Sequence, residues 1–555
     1  MASQRVLIVG GVAGGASCAA RLRRLDERAE IFLYERGPDI SFANCGLPYH
    51  IGGVIPQRQQ LLVATTETFR DTFNVEVRTR HEVTKIHRQE RTVEVRNVSS
   101  GALSVEPYDC LVLSPGAAPI RPRVAGIDLP GVFSLRTLED TDRILEWIGR
   151  RNATRAVVVG AGYIGLEMVE NLVERGMEVT VLELLSQIMP PMDPEMVAPV
   201  QEAMIREGVD LQAANGLAAL EEGPDGTINV IGRDGRKFNA EIVILAIGVA
   251  PDVKLAKEAG LEIGALGGIR VDEHMRTSDP HIFAVGDAVE VRDWITGRWS
   301  VIPLAGPASR QGRIAADVIC GRDSKYRGSQ GTGVVGLFGY TLATTGANEK
   351  TLRRLSIPHQ KVYTHTANHA TYYPGAEVMA MKVLFDPDSG RILGAQAVGG
   401  AGVEKRIDVI AMAMQKHGTV YDLEEAELCY APQYGSARDP VNIAGFVAGN
   451  VLRGDVDVVH WEDWLERQKS GQAKPLVVDV RPASAAAVVP GTVTIPLGEL
   501  RARLGELPKD QEIWVHCGVG RNSYYASRIL SQNGFKVRNL SGGFTSYTAM
   551  PKEGC

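Results

Sequence analysis

The stretch Ala156-Val157-Val158-Val159-Gly160-Ala161-Gly162-Tyr163-Ile164-Gly165 decides the fold. Its β-branched run predicts a buried parallel strand, and its glycines predict a tight turn into a helix running to about Arg175. Such a turn lets the backbone approach a pyrophosphate, whose charge meets free N–H groups and the positive end of the helix. The next strand, Glu178-Val179-Thr180-Val181-Leu182, leads into Glu183. A carboxylate there accepts ribose hydroxyls and repels a 2′-phosphate. Leu184 and Leu185 follow, with no arginine. Gly160, Gly162, Gly165 and Glu183 therefore read as a site that prefers NADH to NADPH.

The chain opens on a second unit of the same kind. Arg5-Val6-Leu7-Ile8-Val9 runs into Gly10-Gly11-Val12-Ala13-Gly14-Gly15 and a helix to Leu25. Val12 stands where the middle glycine is expected, but Glu35 still closes the next strand, Ile31 to Tyr34. Gly10, Gly15 and Glu35 thus predict a second dinucleotide. Two sites in one chain suggest that one nucleotide brings electrons and the other is the cofactor that receives them. The run Ile282-Phe283-Ala284-Val285-Gly286-Asp287 reads as a strand ending in Gly-Asp, either a plain turn or one whose Asp287 accepts from a flavin ribityl hydroxyl.

Working outward, 555 residues predict three or four domains. A net charge of −6 gives no sign of a nucleic-acid surface. No stretch approaches the ~18–20 apolar residues of a membrane span. No tandem repeat is found, and no metal site is expected. Seven scattered cysteines suit a reducing cytoplasm better than a disulfide framework. Cys18, Cys110, Cys320 and Cys429 lie in apolar or helical contexts and are expected to be packing residues; Cys555 is terminal.

Cys45 differs. It stands in Ser41-Phe42-Ala43-Asn44-Cys45-Gly46-Leu47-Pro48-Tyr49 with no cysteine nearby. A lone thiol beside a flavin must use an external sulfur, or its own oxidised form, as the other half of its couple. Small residues around it predict a tight turn into a helix, whose dipole would depress its pKa. His50 just beyond is expected to be structural.

The order of the first glycine turn, Leu113-Ser114-Pro115-Gly116-Ala117, the second turn, Ala246-Ile247-Gly248-Val249-Ala250-Pro251-Asp252 and Gly286-Asp287 resembles the two-dinucleotide-domain flavoprotein reductases of the glutathione reductase superfamily. With Ser41–Tyr49, the likeness narrows to coenzyme A disulfide reductases, the single-cysteine branch. It implies FAD at Gly10, Gly15, Glu35, Gly116 and Asp287. Coenzyme A would need cations for its phosphates: Arg21 and Arg24, one turn apart beside Ser17, read as those or as a solvated helix face. The resemblance adds Ser41, Asn44 and Arg438 as substrate contacts. It also implies Tyr372 and Tyr430 near the thiol of a partner subunit, with Tyr373 and Tyr434 as their neighbours. The active site would then be shared across a homodimer.

At the carboxy end, His516-Cys517-Gly518-Val519-Gly520-Arg521-Asn522-Ser523 joins a strand to a helix expected over 523–533. Consecutive N–H groups around a cysteine make an anion cradle that stabilises a thiolate. With Val478-Asp479-Val480-Arg481 before it and Leu540-Ser541-Gly542-Gly543-Phe544 after it, this resembles a rhodanese domain. Gly518, Val519, Gly520, Arg521 and Asn522 form its loop, although Arg521 comes one place early. The usual Gly-His-Ile run is replaced by Val488-Val489-Pro490-Gly491.

The expected fold class is α/β: two Rossmann-like dinucleotide-binding domains, an α+β dimerisation domain and a C-terminal α/β rhodanese domain. The expected boundaries are 1–120 and 251–330 for the FAD domain, 121–250 for the NAD domain, 331–446 for the dimerisation domain, 447–455 for a linker and 456–555 for the rhodanese domain. The fusion implies an NADH-dependent reductase of coenzyme A persulfide or polysulfide, with catalytic residues Cys45, Cys517, Tyr372 and Tyr430. Alternatives are coenzyme A disulfide as the main substrate, an NADH oxidase working through a Cys45 sulfenate, and a redox-sensing binding protein.

Overall fold

The computed structural model describes residues 4–470, 474–485 and 489–550; Val488 and Cys555 lie outside them. The chain divides into two compact units, Met1–Ser186 with Gly208–Gly331, and Gln187–Glu207 with Thr332–Cys555.

The first unit holds two parallel five-stranded sheets. One has the order Ile282–Ala284, Cys110–Leu113, Arg5–Val9, Glu30–Glu35, Glu76–Thr79. Val6, Leu7 and Ile8 are wholly buried, as a strand covered on both faces requires. The helix Ala13–Leu25 packs against the helix Ala305–Ile319 so closely that a Cβ on Gly312 would lie 2.2 Å from the Gly14 carbonyl oxygen. The other sheet has the order Asp210–Gln212, Glu178–Leu182, Arg155–Val159, Ile242–Leu245, Val132–Ser134. Its central strand leads through the glycine turn into the helix Tyr163–Glu174.

The second unit contains an antiparallel five-stranded sheet: Gly333–Leu337, Tyr340–Gly346, Ile392–Gly399, Val378–Phe385, Gln360–Ala367. A smaller parallel sheet follows in the order Val458–Val459, Val537–Leu540, Ile513–His516, Leu476–Asp479, Thr492–Thr494. Trp461 and Trp514 fill its core.

Residues 187–207, expected inside an NAD domain of 121–250, belong to the second unit. The reason is a buried ionic cluster. The Lys382 ammonium, wholly inaccessible, donates to Asp193 at 2.9 Å, Glu195 at 2.5 Å and Glu349 at 2.6 Å. Lys361 bridges Glu349 at 2.9 Å to Glu462 of the helix Trp461–Lys469 at 3.0 Å. The Tyr363 hydroxyl donates to Glu195 at 2.8 Å, and the Ser541 hydroxyl oxygen accepts from the Tyr363 N–H at 3.2 Å. Three carboxylates meeting within 4.8 Å could hold a metal ion, but the Lys382 ammonium fills that position. A linker is expected over 447–455. The helix Pro440–Leu452 carries on through most of it, because Ala444, Gly445, Ala448 and Gly449 form a buried small-residue face.

Candidate active site

Both glycine turns are shaped for close approach. Gly10 has φ +95°, and a Cβ there would lie 2.1 Å from the Ser114 carbonyl oxygen. Gly15 and Gly165 abut the carbonyls of Gly10 and Gly160, at 1.9 and 2.0 Å from an added Cβ. Gly162 differs: a Cβ there meets only open space, the room a pyrophosphate would take above the helix start. Each acidic residue also braces its own turn. Glu35 accepts the N–H of Gly11 at 3.0 Å and that of Gly37 at 2.9 Å. Glu183 accepts the N–H of Ala161 at 2.7 Å and that of Leu185 at 2.8 Å.

Asp287 lies in the turn Gly286–Ala288. Burial pushes its carboxyl above the ordinary carboxylate range, and the Arg136 charge restrains this only in part. Among the described residues none donates to it, so it has accepting capacity for a ribityl hydroxyl. Gly116 has φ +75°, and its carbonyl accepts from the Asp252 N–H at 2.9 Å. Arg136, which donates to the Pro115 carbonyl at 2.8 Å, sits among the charges of Arg36, Asp252, Glu35 and Asp287. No sequence motif pointed to it. The residues present fit FAD in the first turn and NAD(H) in the second.

Cys45 is exposed in the tight turn Asn44–Gly46, which passes directly into the helix Leu47–Gly52. The expected depression of its thiol pKa is overturned. Enclosure of the sulfur, and then the charges of Glu167 and Asp287, raise it; a backbone hydrogen bond opposes them weakly. A six-residue helix has too small a dipole to reverse this. Glu167 was not legible beforehand. It accepts the Tyr49 hydroxyl at 3.1 Å, and burial pushes its carboxyl up to about 7. Ser41 is held at φ +47°, and Asn44 donates to the Arg136 carbonyl at 3.2 Å. His50 bonds the Ile55 carbonyl at 2.6 Å, a local structural role.

Of the expected substrate cations, Arg24 and Arg438 are exposed. Arg21 is tied to Asp317 at 2.7 Å and is therefore not a free helix face. Ser17 is half-buried. Tyr372 and Tyr430 are brought together, their hydroxyl oxygens 2.8 Å apart and their rings exposed, with Tyr373 and Tyr434 exposed beside them. Cys18 and Cys110 are buried as expected and Cys320 partly so, but Cys429 is exposed next to Tyr430.

In the smaller sheet the Cys517 loop is braced from beneath. The Phe544 N–H donates to the Cys517 carbonyl at 2.7 Å, and the Thr545 N–H to that of Gly518 at 2.9 Å. The anion cradle is narrower than expected: the Cys517 sulfur accepts from the Gly520 N–H at 3.2 Å and the Ser523 hydroxyl at 3.5 Å. Gly520 achieves this at φ +94°. Ser523 joins the cradle because the helix begins at Arg521, two residues earlier than expected. Gly518, Val519, Arg521 and Asn522 line a cavity of about 350 Å³ over the thiol.

Comparison with known proteins agrees with this layout. Residues 4–312 match the pyridine nucleotide-disulphide oxidoreductase family, 334–440 its dimerisation domain and 462–550 the rhodanese-like domain. A coenzyme A disulfide reductase of Staphylococcus epidermidis is 36% identical over 445 residues, spanning 80% of this chain and 99% of that protein. The crystal structure of reduced Bacillus anthracis CoADR-RHD is 48% identical with a TM-score of 0.96, covering 99% of this chain and 98% of that one. An NAD-dependent persulfide reductase from A. fulgidus is 35% identical with a TM-score of 0.90, covering 98% and 100%.

Proposed function

We propose, since this chain belongs to the pyridine nucleotide-disulphide oxidoreductases and is an FAD-dependent oxidoreductase with a rhodanese-like domain, that it uses NADH to reduce coenzyme A persulfide or polysulfide to thiol and hydrogen sulfide. The observation that carries this reading is Cys45: exposed, without a cysteine partner among the described residues, and in the same unit as both nucleotide turns. The rhodanese-like domain, whose Cys517 is cradled as a sulfur carrier, favours persulfide over a plain disulfide. The names of the persulfide reductase and the coenzyme A disulfide reductase support the same chemistry.

The Cys45 thiolate attacks the outer sulfur of CoA–S–SH. The donor's sulfur–sulfur bond breaks, coenzyme A leaves as a thiolate, and Cys45 becomes a persulfide. Two electrons then split that persulfide into the Cys45 thiolate and HS⁻. The sum is CoA–S–SH + NADH → CoA–SH + HS⁻ + NAD⁺, balanced in atoms and charge. Bound FAD supplies the electron pair, which comes from NADH. Gly10, Gly15, Glu35, Gly116 and Asp287 hold FAD; Gly160, Gly162, Gly165 and Glu183 hold NADH. Arg24 and Arg438 attract the coenzyme A phosphates, and Ser17, Ser41 and Asn44 line its path. Tyr372 and Tyr430 of a second copy hydrogen-bond the leaving sulfur. The dimerisation domain and the exposed tyrosines support that homodimer. Among the described residues no helix is long and apolar enough to cross a membrane; the proposed setting is the cytoplasm.

The test is anaerobic NADH oxidation with coenzyme A persulfide, coenzyme A disulfide and polysulfide side by side, in wild type, Cys45→Ser and Cys517→Ser. Sulfide release at full rate in Cys45→Ser would sink the mechanism. A higher kcat/KM with coenzyme A disulfide would favour the second reading, which the name of the Staphylococcus epidermidis relative supports.

A further inference from the structure

Within the second unit, the antiparallel sheet meets the smaller parallel sheet along the strand Gln360–Ala367. That strand is outermost in its sheet. Lys361, Tyr363 and His365 alternate along it and share one face. Lys361 reaches Glu462 at 3.0 Å, and the Tyr363 ring meets the His460 ring edge-on, 5.8 Å between centroids. His365 Nε2 lies 2.9 Å from the Ser546 hydroxyl oxygen. Burial pushes the His365 imidazole down to about 4, so the ring is uncharged at neutral pH. The Tyr363 N–H donates to the Ser541 hydroxyl oxygen at 3.2 Å, and the Tyr363 hydroxyl is itself fixed by Glu195 of the ionic cluster.

Ser541 and Ser546 bracket the turn on which the Cys517 loop rests. Gly542 and Gly543 are both left-handed there, at φ +73° and +61°. A Cβ on Gly542 would lie 1.9 Å from the Ser546 hydroxyl oxygen and 2.9 Å from the Tyr363 Cβ. Gly543 abuts the Cys517 carbonyl and the Gly520 nitrogen, and its own carbonyl accepts from the Trp461 indole N–H at 2.7 Å. The Phe544 and Thr545 N–H groups then hold the Cys517 and Gly518 carbonyls. Gly520 in turn supplies the N–H that the Cys517 sulfur accepts. Contact is continuous from the edge strand to the sulfur, mostly backbone against backbone. Close-packed contacts of this kind pass a displacement on and do not absorb it.

We propose that His365, together with Tyr363, is a positioning residue for Cys517. The edge strand of the antiparallel sheet holds the Gly542–Gly543 turn against the cysteine loop, and this keeps the Gly520 N–H and the Ser523 hydroxyl aimed at the sulfur. The inference rests on the reading of Cys517 as the reactive thiol of that loop. Neither positioning residue touches the sulfur; both act through Ser541, Ser546 and the two glycines. The reactivity of Cys517 therefore depends on residues outside 456–555, and the carboxy-terminal sheet is not self-sufficient for its own chemistry. Loss of the His365 contact lets the turn relax, the two donors drift from the sulfur, and the thiolate loses part of its stabilisation.

The experiment follows alkylation of full-length flavin-bound enzyme by iodoacetamide, with the Cys517 and Cys45 peptides read by mass over time. His365→Leu should slow alkylation of Cys517 about three- to tenfold, the worth of one hydrogen bond. Cys45 alkylation and reduction of the flavin by NADH should keep their wild-type rates. Ser546→Ala, the smaller change, removes the same contact from its other side and should give the same loss, and the double variant should fall no further. His365→Gln keeps a polar atom near the Nε2 position and should restore most of the rate, which a space-filling role would not require. Unchanged or faster Cys517 alkylation in the single variants, fully additive losses, or equal slowing by Leu and Gln overturns the proposal. A wild-type Cys517 that iodoacetamide does not modify overturns instead the reading of Cys517 as a reactive thiol.

Discussion

Tyr372 and Tyr430, 58 residues apart in the chain, place their hydroxyl oxygens 2.8 Å from each other. That hydrogen bond raises the Tyr372 phenol pKa, so the hydroxyl remains a proton donor at neutral pH. One hydroxyl must donate to the other, leaving one proton of the pair for a sulfur. Tyr372→Phe and Tyr430→Phe should each lower sulfide release about 10- to 100-fold. The double variant should fall little further, and reduction of the flavin by NADH should be unchanged. Stopped-flow separation of the two half-reactions checks this; fully additive losses would mean that the tyrosines act independently.

After burial of the thiol itself, Glu167 is the strongest influence raising the Cys45 pKa. Its carboxyl, pushed by burial from 4.5 to about 7, adds a negative charge beside the thiol once it ionises. Glu167→Gln should move the pH profile of Cys45 alkylation to lower pH, by roughly one unit. The stability effect has the opposite sense from a salt-bridged acid. The folded state binds this proton more tightly, so the contribution is fully present below 4.5 and is lost as pH rises through about 7. Urea titrations should therefore show Glu167→Gln gaining on wild type between those limits and keeping the gain above them.

Lys382→Met leaves the carboxylates of Asp193, Glu195 and Glu349 facing one another without their shared cation. Loss of one partner from a buried ionic cluster costs about 3–5 kcal/mol. Calorimetry should show the second unit melting earlier. In wild type the lysines and hydrogen bonds around Asp193 and Glu349 overcome burial and hold both acids below their ordinary values. This contribution is present above about pH 4 and is lost as pH falls through the depressed values. Lys382→Met should therefore flatten the acid limb of the stability profile.

Glu183→Ala should raise the KM for NADH about tenfold and narrow the preference over NADPH. It removes the proposed ribose acceptor and also frees the Ala161 and Leu185 N–H groups that it anchors. Steady-state kinetics with both nucleotides check it. An unchanged NADH-to-NADPH ratio would mean that Glu183 only braces the turn.

Gly543→Ala would set a Cβ 2.5 Å from the Cys517 carbonyl oxygen and 2.8 Å from the Gly520 nitrogen, in a left-handed conformation at φ +61°. A clash of backbone against backbone cannot relax by side-chain rotation. Loss of sulfur loading on Cys517, with NADH reduction of the flavin intact, is the expected outcome.

Local features were legible in advance. The strand Arg155–Val159 and the turns at Gly10 and Gly160 follow from neighbouring residues. Helix ends fell within two residues of expectation at Leu25, Glu174 and Arg521. The ionic cluster was not legible. Lys361 and Lys382 occupy strand positions where a lysine ordinarily faces water, and their partners come from residues 193, 195, 349 and 462. The same holds for Tyr49 with Glu167, and for Arg21, whose partner lies 296 residues away. Nothing in the spacing of either residue predicts the other.

By itself the sequence determined the two nucleotide turns, the solitary thiol and the cysteine loop of the rhodanese-like domain, because glycine stereochemistry and cysteine chemistry act over a few residues. Tertiary structure alone decided the charge around those groups. Ionisation responds to burial and to every carboxylate or cation within several ångströms, wherever in the chain it originates. Hence Cys45 has a raised pKa despite its helix start, Arg481 is paired with Asp479, and residues 187–207 cluster with the second unit.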